Sequence, residues 1–263
     1  MSRRRSRKMR IPLTVLEAVL SIGAWVSIVG ITVLFSILMG ILFLLAPLID
    51  RKRATLHAVA SLWGRSLVRM APGCRVGVFG REHLPLDRPV VLVSNHQSYT
   101  DIPVLYFVRY QFKWMADAPL FQIPFFGWAM RMAGYVPVHR GEASEARSTI
   151  ERAKKWLSRG ISVFVFPEGT RSHTGLFGRF QTGSFRLAAD TSTPIVPVVV
   201  AGTRQLLPRG GWIFRLRARP RIYILPPVEP PAPGAGLKEV RRVAQRTRLK
   251  MINIYRKQLK EIR

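Results

Sequence analysis

Acidic side chains are scarce in this chain and cysteine is almost absent. Its 263 residues hold 14 Asp and Glu against 42 Lys and Arg, a formal net charge of +28. A surplus of that size directs a protein toward an anionic partner: nucleic acid, an acidic bilayer or a phosphorylated substrate. The only cysteine, Cys74, excludes an intramolecular disulfide and any cysteine-based zinc site, and it fits a reducing, cytoplasm-facing domain. It reads as a small buried hydrophobe rather than a nucleophile. No zinc-ligand spacing, heptad repeat or aromatic-sheet RNA-binding motif accompanies the basic surplus, which argues against nucleic acid. No metal site is expected either.

Charge is missing altogether from residues 18–49. A signal peptide has a shorter apolar region and a small-residue cleavage site, so the run reads as a membrane segment. As one straight helix it extends about 48 Å against a hydrocarbon core of about 30 Å, too long for one upright span and too short for two. Basic residues flank both sides: Arg3, Arg4, Arg5, Arg7, Lys8 and Arg10 before it, Arg51, Lys52 and Arg53 after it. A crossing helix shows a basic bias to one side. The expectation is therefore a re-entrant or shallow helical hairpin, bent near Gly30 or Gly40, with a tilted single span as the alternative. Residues 54–70 then carry Leu56, Val59, Leu62, Trp63, Leu67 and Met70 on a helical stripe, an amphipathic helix at the interface or leading into the next domain.

Beyond Pro72 and Gly73 the pattern alternates. Strands are expected at 74–79, 90–93, 112–116, 134–138, 161–166, 195–200 and 221–225. Helices are expected at 102–109, 125–133, 142–159 and 180–189, the third ending at Gly160. This alternation predicts one α/β domain over 71–226 with a mainly parallel or mixed central sheet flanked by helices. Residues 1–70 form the membrane-anchoring part. A linker rich in proline, alanine and glycine at 226–236 leads into a basic amphipathic helix over 237–263, with Val240, Val243, Met251, Ile254, Leu259 and Ile262 on one stripe. That helix can lie on lipid, pack on the domain or contact a partner.

Two strand ends carry chemistry. The run at 90–93 stops at Asn95-His96-Gln97-Ser98-Tyr99-Thr100-Asp101, where an imidazole can take a proton while a carboxylate one turn on holds its tautomer. The competing reading has His96 capping a turn and Asp101 capping a helix. The run at 161–166 leads into Pro167-Glu168-Gly169-Thr170-Arg171-Ser172, in which Gly169 lets the backbone approach a ligand and Arg171 offers a planar fork to a phosphate. Its competing reading is a turn with a Glu-Arg ion pair. Strand carboxyl ends are where α/β proteins place their sites, so both loops can face one crevice.

These residues resemble the membrane-associated glycerolipid acyltransferases, especially bacterial 1-acylglycerol-3-phosphate acyltransferases. The segment 95–101 is similar to the family's first block, and the resemblance implies that His96 and Asp101 are its catalytic pair, with Asn95 at the substrate site. Residues 134–141, Gly-Tyr-Val-Pro-Val-His-Arg-Gly, resemble the second block, which implies an acceptor role for Arg140. Residues 166–172 resemble the third, which implies that Gly169 and Arg171 bind the acceptor's phosphate, with Glu168 and Thr170 also at the substrate site. Residues 193–197 resemble the fourth, which links Pro197 to the acyl donor. Some positions depart from the pattern: Ala118 and Pro119 stand ahead of Leu120-Phe121, His139 precedes Arg140, and Gln181 and Thr182 stand where a lysine is frequent. Fewer cations are thus placed for the acceptor phosphate.

The reaction implied is acyl transfer from acyl-CoA or acyl carrier protein to the free sn-2 hydroxyl of 1-acylglycerol 3-phosphate, with no cofactor. It would take place at an anionic lipid surface on the inner leaflet of the cell membrane. A lyso-ornithine lipid or another lysophospholipid is the alternative acceptor. Ser98 beside His96 offers a covalent nucleophile on paper, but the strand-turn-helix motif G-x-S-x-G is absent. A non-catalytic, membrane-bound anion-binding protein would explain the charge and the apolar run, yet gives no reason for His96 and Asp101 to accompany Gly169 and Arg171.

Overall fold

The computed structural model describes residues 13–71, 74–139, 143–215 and 218–262; the side chains at 13–14, 46–49, 143–144 and 259–262 lie outside it. The basic cluster at Arg3 to Arg10, Pro72 and Gly73, Arg140, and the stripe positions Leu259 and Ile262 therefore fall outside the described residues or side chains.

Seven strands form one sheet: β1 (Gly77–Phe79), β2 (Val91–Ser94), β3 (Phe112–Asp117), β4 (Val136–Val138), β5 (Ser162–Val165), β6 (Ile195–Ala201) and β7 (Arg221–Ile224). Their order is β1-β7-β6-β2-β5-β3-β4. Every pairing is parallel except β6 with β7, so the expected mixed α/β sheet is what forms. The central strands are β-branched and buried on both faces, as parallel strands covered by helices must be. Alternation along β2 divides the core: Val90 and Leu92 join the layer that holds Phe112, Trp114 and Phe164. Val91 and Val93 join the opposite layer with Ile195, Val199 and Phe185.

The helices are α1 (Leu13–Ile49), α2 (Ala54–Arg69), α3 (Asp101–Leu105), α4 (Phe126–Met132), α5 (Ala143–Leu157), α6 (Gly183–Asp190), α7 (Thr203–Leu206) and α8 (Leu237–Ile262). Short helical turns at Tyr106–Val108 and Ala118–Gln122 extend α3 and precede α4. The short α7 had no sequence signal.

The uncharged run departs from expectation. It is one unbroken helix, α1, and neither Gly30 nor Gly40 interrupts it. Both glycines have open space where a Cβ would sit, so no packing forces a bend there. The chain reverses later, at 50–53, where Arg53 takes a left-handed backbone (φ 49°) and the Asp50 carboxylate accepts the amides of Ala54 and Thr55 at 2.7 and 2.8 Å. A hairpin exists, but its arms are α1 and α2. Within α1, Val15–Leu45 is long and apolar enough to cross a bilayer, with mean hydropathy 2.8.

Two cations fasten this hairpin to the domain. Arg53 Nη1 donates to the Arg131 and Met132 carbonyls at the end of α4, at 2.9 and 3.0 Å. Lys113, fully buried on β3, donates from Nζ to the Arg53 and Ala133 carbonyls at 3.1 and 2.9 Å and lies over the Trp156 ring. Burial, with Arg53 nearby, pulls the Lys113 ammonium down to about 7. Last-turn carbonyls suit cations, which is why both converge on the end of α4.

The segment 226–236 makes one strand-like bridge, Ile195 with Val228. After it, α8 does not stand apart from the domain. Val240, Ala244, Met251 and Tyr255 are buried in the layer opposite α1.

Candidate active site

β2 and β5 are parallel neighbours in register, Val93 opposite Val165, so their following loops emerge side by side at one edge of the sheet. The first loop brings His96 and the second brings residues 167–172. Asp101 opens α3 and is fully buried. Its Oδ2 accepts His96 Nδ1–H at 2.7 Å and the amides of Gln97 and Ser98 at 2.6 and 2.9 Å. Three donors on one oxygen hold the carboxylate and leave His96 Nε2 as the free proton acceptor. The imidazole stacks on Phe166, ring centroids 4.0 Å apart and 12° from parallel, which fixes the ring plane as well.

Glu168 braces the two loops. Its Oε1 accepts the His96 amide at 3.0 Å and Oε2 accepts the Gly178 amide at 2.7 Å. Burial raises its carboxyl pKa, a rise those two amides partly offset. The Ser172 amide also donates to the His96 carbonyl, at 2.8 Å. No ion pair between Glu168 and Arg171 forms among the described residues. Gly169 adopts φ +72°, a conformation that costs any residue with a Cβ, so the tight exit from β5 requires it. Two residues on, Arg171 lies over the Tyr99 ring, its Cζ 3.5 Å from the centroid.

His96, Gly169, Thr170 and Arg171 line one cavity of about 320 Å³. From that polar mouth the cavity runs along Phe166, Trp114 and Tyr106. Thr32, Phe35, Ser36 and Met39 of α1, with Ala60 and Trp63 of α2, also form its wall. The wall is mainly apolar and aromatic, with few polar groups, the form of a site for a long apolar ligand with one reactive end. One polar chain lies behind it: Tyr106 and Tyr135 share a hydrogen bond of 2.8 Å, and the Tyr135 hydroxyl lies 3.3 Å from His57 Nδ1. His57 Nε2–H donates to the Tyr110 carbonyl at 3.0 Å, so Nδ1 is the acceptor. Burial, with Lys113 nearby, drops His57 to about 3 and keeps it neutral.

Four of the expected site residues thus meet at the cavity, with Asp101 directly behind His96. Asn95 and Pro197 do not reach it. The Asn95 amide is fully buried and pairs with both the Val200 carbonyl and amide at 2.8 and 2.9 Å, extending the β2–β6 ladder with a side chain. Pro197 is a buried position of β6 opposite Val93. Arg140 lies outside the described residues, and its neighbour His139 pairs with Glu145 at 2.7 Å. Ser98 is 1% exposed and donates its hydroxyl to the Leu207 carbonyl at 2.7 Å, which removes it as a nucleophile.

Several supporting residues carried no sequence signal. Gln97 spans from the Tyr255 hydroxyl on α8 to the Gly175 carbonyl, at 2.9 and 3.3 Å. Arg248, also on α8, donates to the carbonyls of Gly178 and Phe177 at 2.6 and 2.7 Å. The α1 residues of the cavity did leave a trace. Glu17, Ser21, Trp25, Thr32 and Ser36 recur at helical spacing through an otherwise apolar run. Thr32 and Ser36 turn toward the domain: Trp63 Nε1–H donates to Thr32 Oγ1 at 3.1 Å, and Ser36 Oγ lies 3.1 Å from the Phe125 carbonyl.

Residues 75–201 match the family model described as acyltransferase. Over 173 residues, 65% of this chain and 48% of the relative, the sequence is 38% identical to a chloroplastic 1-acyl-sn-glycerol-3-phosphate acyltransferase of Arabidopsis thaliana. Over 174 residues, 65% of this chain and 66% of the relative, it is 30% identical to the 1-acyl-sn-glycerol-3-phosphate acyltransferase of Pseudomonas aeruginosa. The match thus spans about half the length of the plant relative (48%). Among solved structures, the 1-acyl-sn-glycerophosphate acyltransferase PlsC of Thermotoga maritima superposes with a TM-score of 0.73 at 26% identity, over 92% of this chain and 97% of that one.

Proposed function

We propose, for a chain that belongs to the acyltransferase family through its residues 75–201, the transfer of a fatty acyl group from an acyl thioester to the sn-2 hydroxyl of 1-acylglycerol 3-phosphate. The observation that carries this reading is the meeting of an oriented imidazole, a guanidinium head with no ion-pair partner among the described residues and an apolar wall in one cavity. His96 Nε2 takes the proton of the acceptor hydroxyl as that oxygen attacks the thioester carbonyl. The new C–O bond forms, the C–S bond breaks, and the proton passes from His96 to the departing thiolate. Asp101 stabilises the imidazolium that exists between those steps. A thiolate leaves readily, because a thiol's pKa of about 8.5 is far below that of an alcohol. No acyl-enzyme is needed, in keeping with the buried, hydrogen-bonded Ser98.

Arg171 takes the acceptor phosphate, and the cavity between α1, α2 and the sheet takes acyl chain. Glu168 and Asn95 act in this reading by holding the loops rather than by touching substrate. The donor is acyl-CoA or acyl carrier protein, and no cofactor takes part. The apolar α1 and the net charge of +28 support a site at an anionic membrane surface, with the catalytic domain on the cytoplasmic face of the inner leaflet.

The test is turnover measured as free-thiol release with lysophosphatidate and a panel of other lyso-lipids. His96→Ala is expected to lose about 10²- to 10⁴-fold in kcat, the scale of general-base catalysis. Activity within a few-fold of wild type would sink the assignment. Arg171→Ala is expected to raise the KM for lysophosphatidate and to leave that for a phosphate-free acceptor unchanged.

A further inference from the structure

A second connection runs between α1 and the active-site loops, outside the cavity. Residues 207–215 follow α7. At the start of this segment the Leu207 carbonyl accepts the Ser98 hydroxyl at 2.7 Å, and the Arg209 guanidinium donates to the Arg171 carbonyl. At its far end three bonds reach α1. Arg215 Nη1 meets the Glu17 carboxylate at 2.7 Å, the Phe214 amide donates to Ser21 Oγ at 2.8 Å, and the Trp25 indole N–H donates to the Trp212 carbonyl at 2.8 Å. The Trp25 and Phe214 rings pack at 5.2 Å.

Glu17, Ser21 and Trp25 are spaced four apart, so they form one stripe of the helix. Glu17 is the only charged side chain in α1, and its side chain is 5% exposed. A carboxylate in a lipid-facing helix is costly and persists where it has a partner to hold. Here what it holds is the segment that ends on Arg171.

We propose that residues 207–215 are a strap that transmits the seating of α1 to Arg171, with Glu17 and Arg215 as a positioning pair for the acceptor's phosphate. Arg171 is restrained twice: its side chain by the Tyr99 ring and its main chain by Arg209. Releasing the strap from α1 frees the second restraint, and the guanidinium then meets the phosphate off its best geometry. No residue of the strap itself lines the cavity. The inference rests on Arg171 as the phosphate ligand.

The experiment uses the full chain in mixed lipid–detergent micelles and measures kcat, the KM of each substrate and the unfolding midpoint. Glu17→Ala and Arg215→Ala are each expected to raise the KM for lysophosphatidate about tenfold, a 1.4 kcal/mol effect. The double variant is expected to do no more than either alone, as coupled partners do. Arg215→Lys is expected to restore most of the loss. The donor KM and the KM for a phosphate-free acceptor stay within twofold. An unchanged lysophosphatidate KM in both single variants overturns the strap. So does a uniform fall in kcat for every acceptor that tracks a lower unfolding midpoint, which marks a merely structural bond. Arg171→Ala run alongside separates the two levels: if it raises the KM while the strap variants do not, the strap fails and the phosphate assignment stands. If Arg171→Ala also leaves the KM unchanged, the phosphate assignment itself fails.

Discussion

The two longest helices carry their apolar residues in opposite directions. α1 turns Val19, Ile22, Val26, Val29, Leu34, Ile41 and Leu44 outward, each well exposed, and keeps its few polar groups against the domain. α8 does the reverse, burying Val240, Ala244, Met251 and Tyr255 against the sheet and leaving most of its arginines and lysines outside. An exposed apolar surface as continuous as that of α1 has the form of a contact surface, with lipid in the reading proposed above. The apolar stripe of α8 is already spent on the fold. Both helices had the composition of membrane-active segments, so hydrophobicity and charge alone do not say which face a helix turns outward. The polar residues do: they face whatever can bond them, which for α1 is the protein and for most of α8 is water, Arg248 and the Tyr255 hydroxyl excepted.

The sharpest way to break this comparison is to remove one buried apolar side chain from α8. Met251→Ala is expected to destabilise the fold by ~2–5 kcal/mol, read as a lower unfolding midpoint. The same truncation at Val26 of α1, 69% exposed, is expected to leave the midpoint unchanged in detergent. An equal loss at both sites would mean that α1 is part of the packed core.

A somewhat smaller effect separates the two helices by membrane affinity. Leu34→Lys puts a charge on the outward face of α1 and is expected to weaken vesicle binding by about 2.5–3.5 kcal/mol, the scale for a basic residue mid-helix in a bilayer. Leu249→Lys on the exposed side of α8 is expected to have no such effect in vesicle flotation. A matching loss there would show that α8 also rests on lipid.

The smallest expected effect concerns how the α1–α2 hairpin is fastened. Lys113 titrates near 7 in the folded protein and near 10.5 unfolded. Between those values the unfolded chain binds the extra proton, so this group makes stability rise as pH increases from about 7 and lowers it as pH falls back through that window. Lys113→Met is expected to flatten the unfolding midpoint across pH 7–10. A pH slope identical to wild type would show that the ammonium is as well solvated as a surface lysine.

Much of the site was legible as chemistry before it was visible as geometry. His96 with Asp101, and Gly169 with Arg171, stood at the ends of β-branched runs, and parallel pairing of β2 with β5 brings such ends together. Local reasoning failed where a polar side chain serves the backbone instead of a ligand. Asn95 completes a strand ladder and Glu168 ties two loops, and neither role can be inferred from residue type, because the partner amides lie far along the chain. Gln97, Tyr255 and Arg248 escaped notice for the same reason.

What the order of residues settles is therefore local: most of the strands and helices, the mainly parallel sheet that their alternation predicts, an imidazole with its carboxylate five positions on, and a long uncharged helix. Each follows from spacing along the chain, where neighbours in sequence are neighbours in space. Which face of α1 is turned outward, which side of α8 is buried, where the hairpin turns, and that residues 207–215 join α1 to Arg171 depend on contacts between distant segments. Those contacts come into being only when the chain closes on itself, and no local pattern records them.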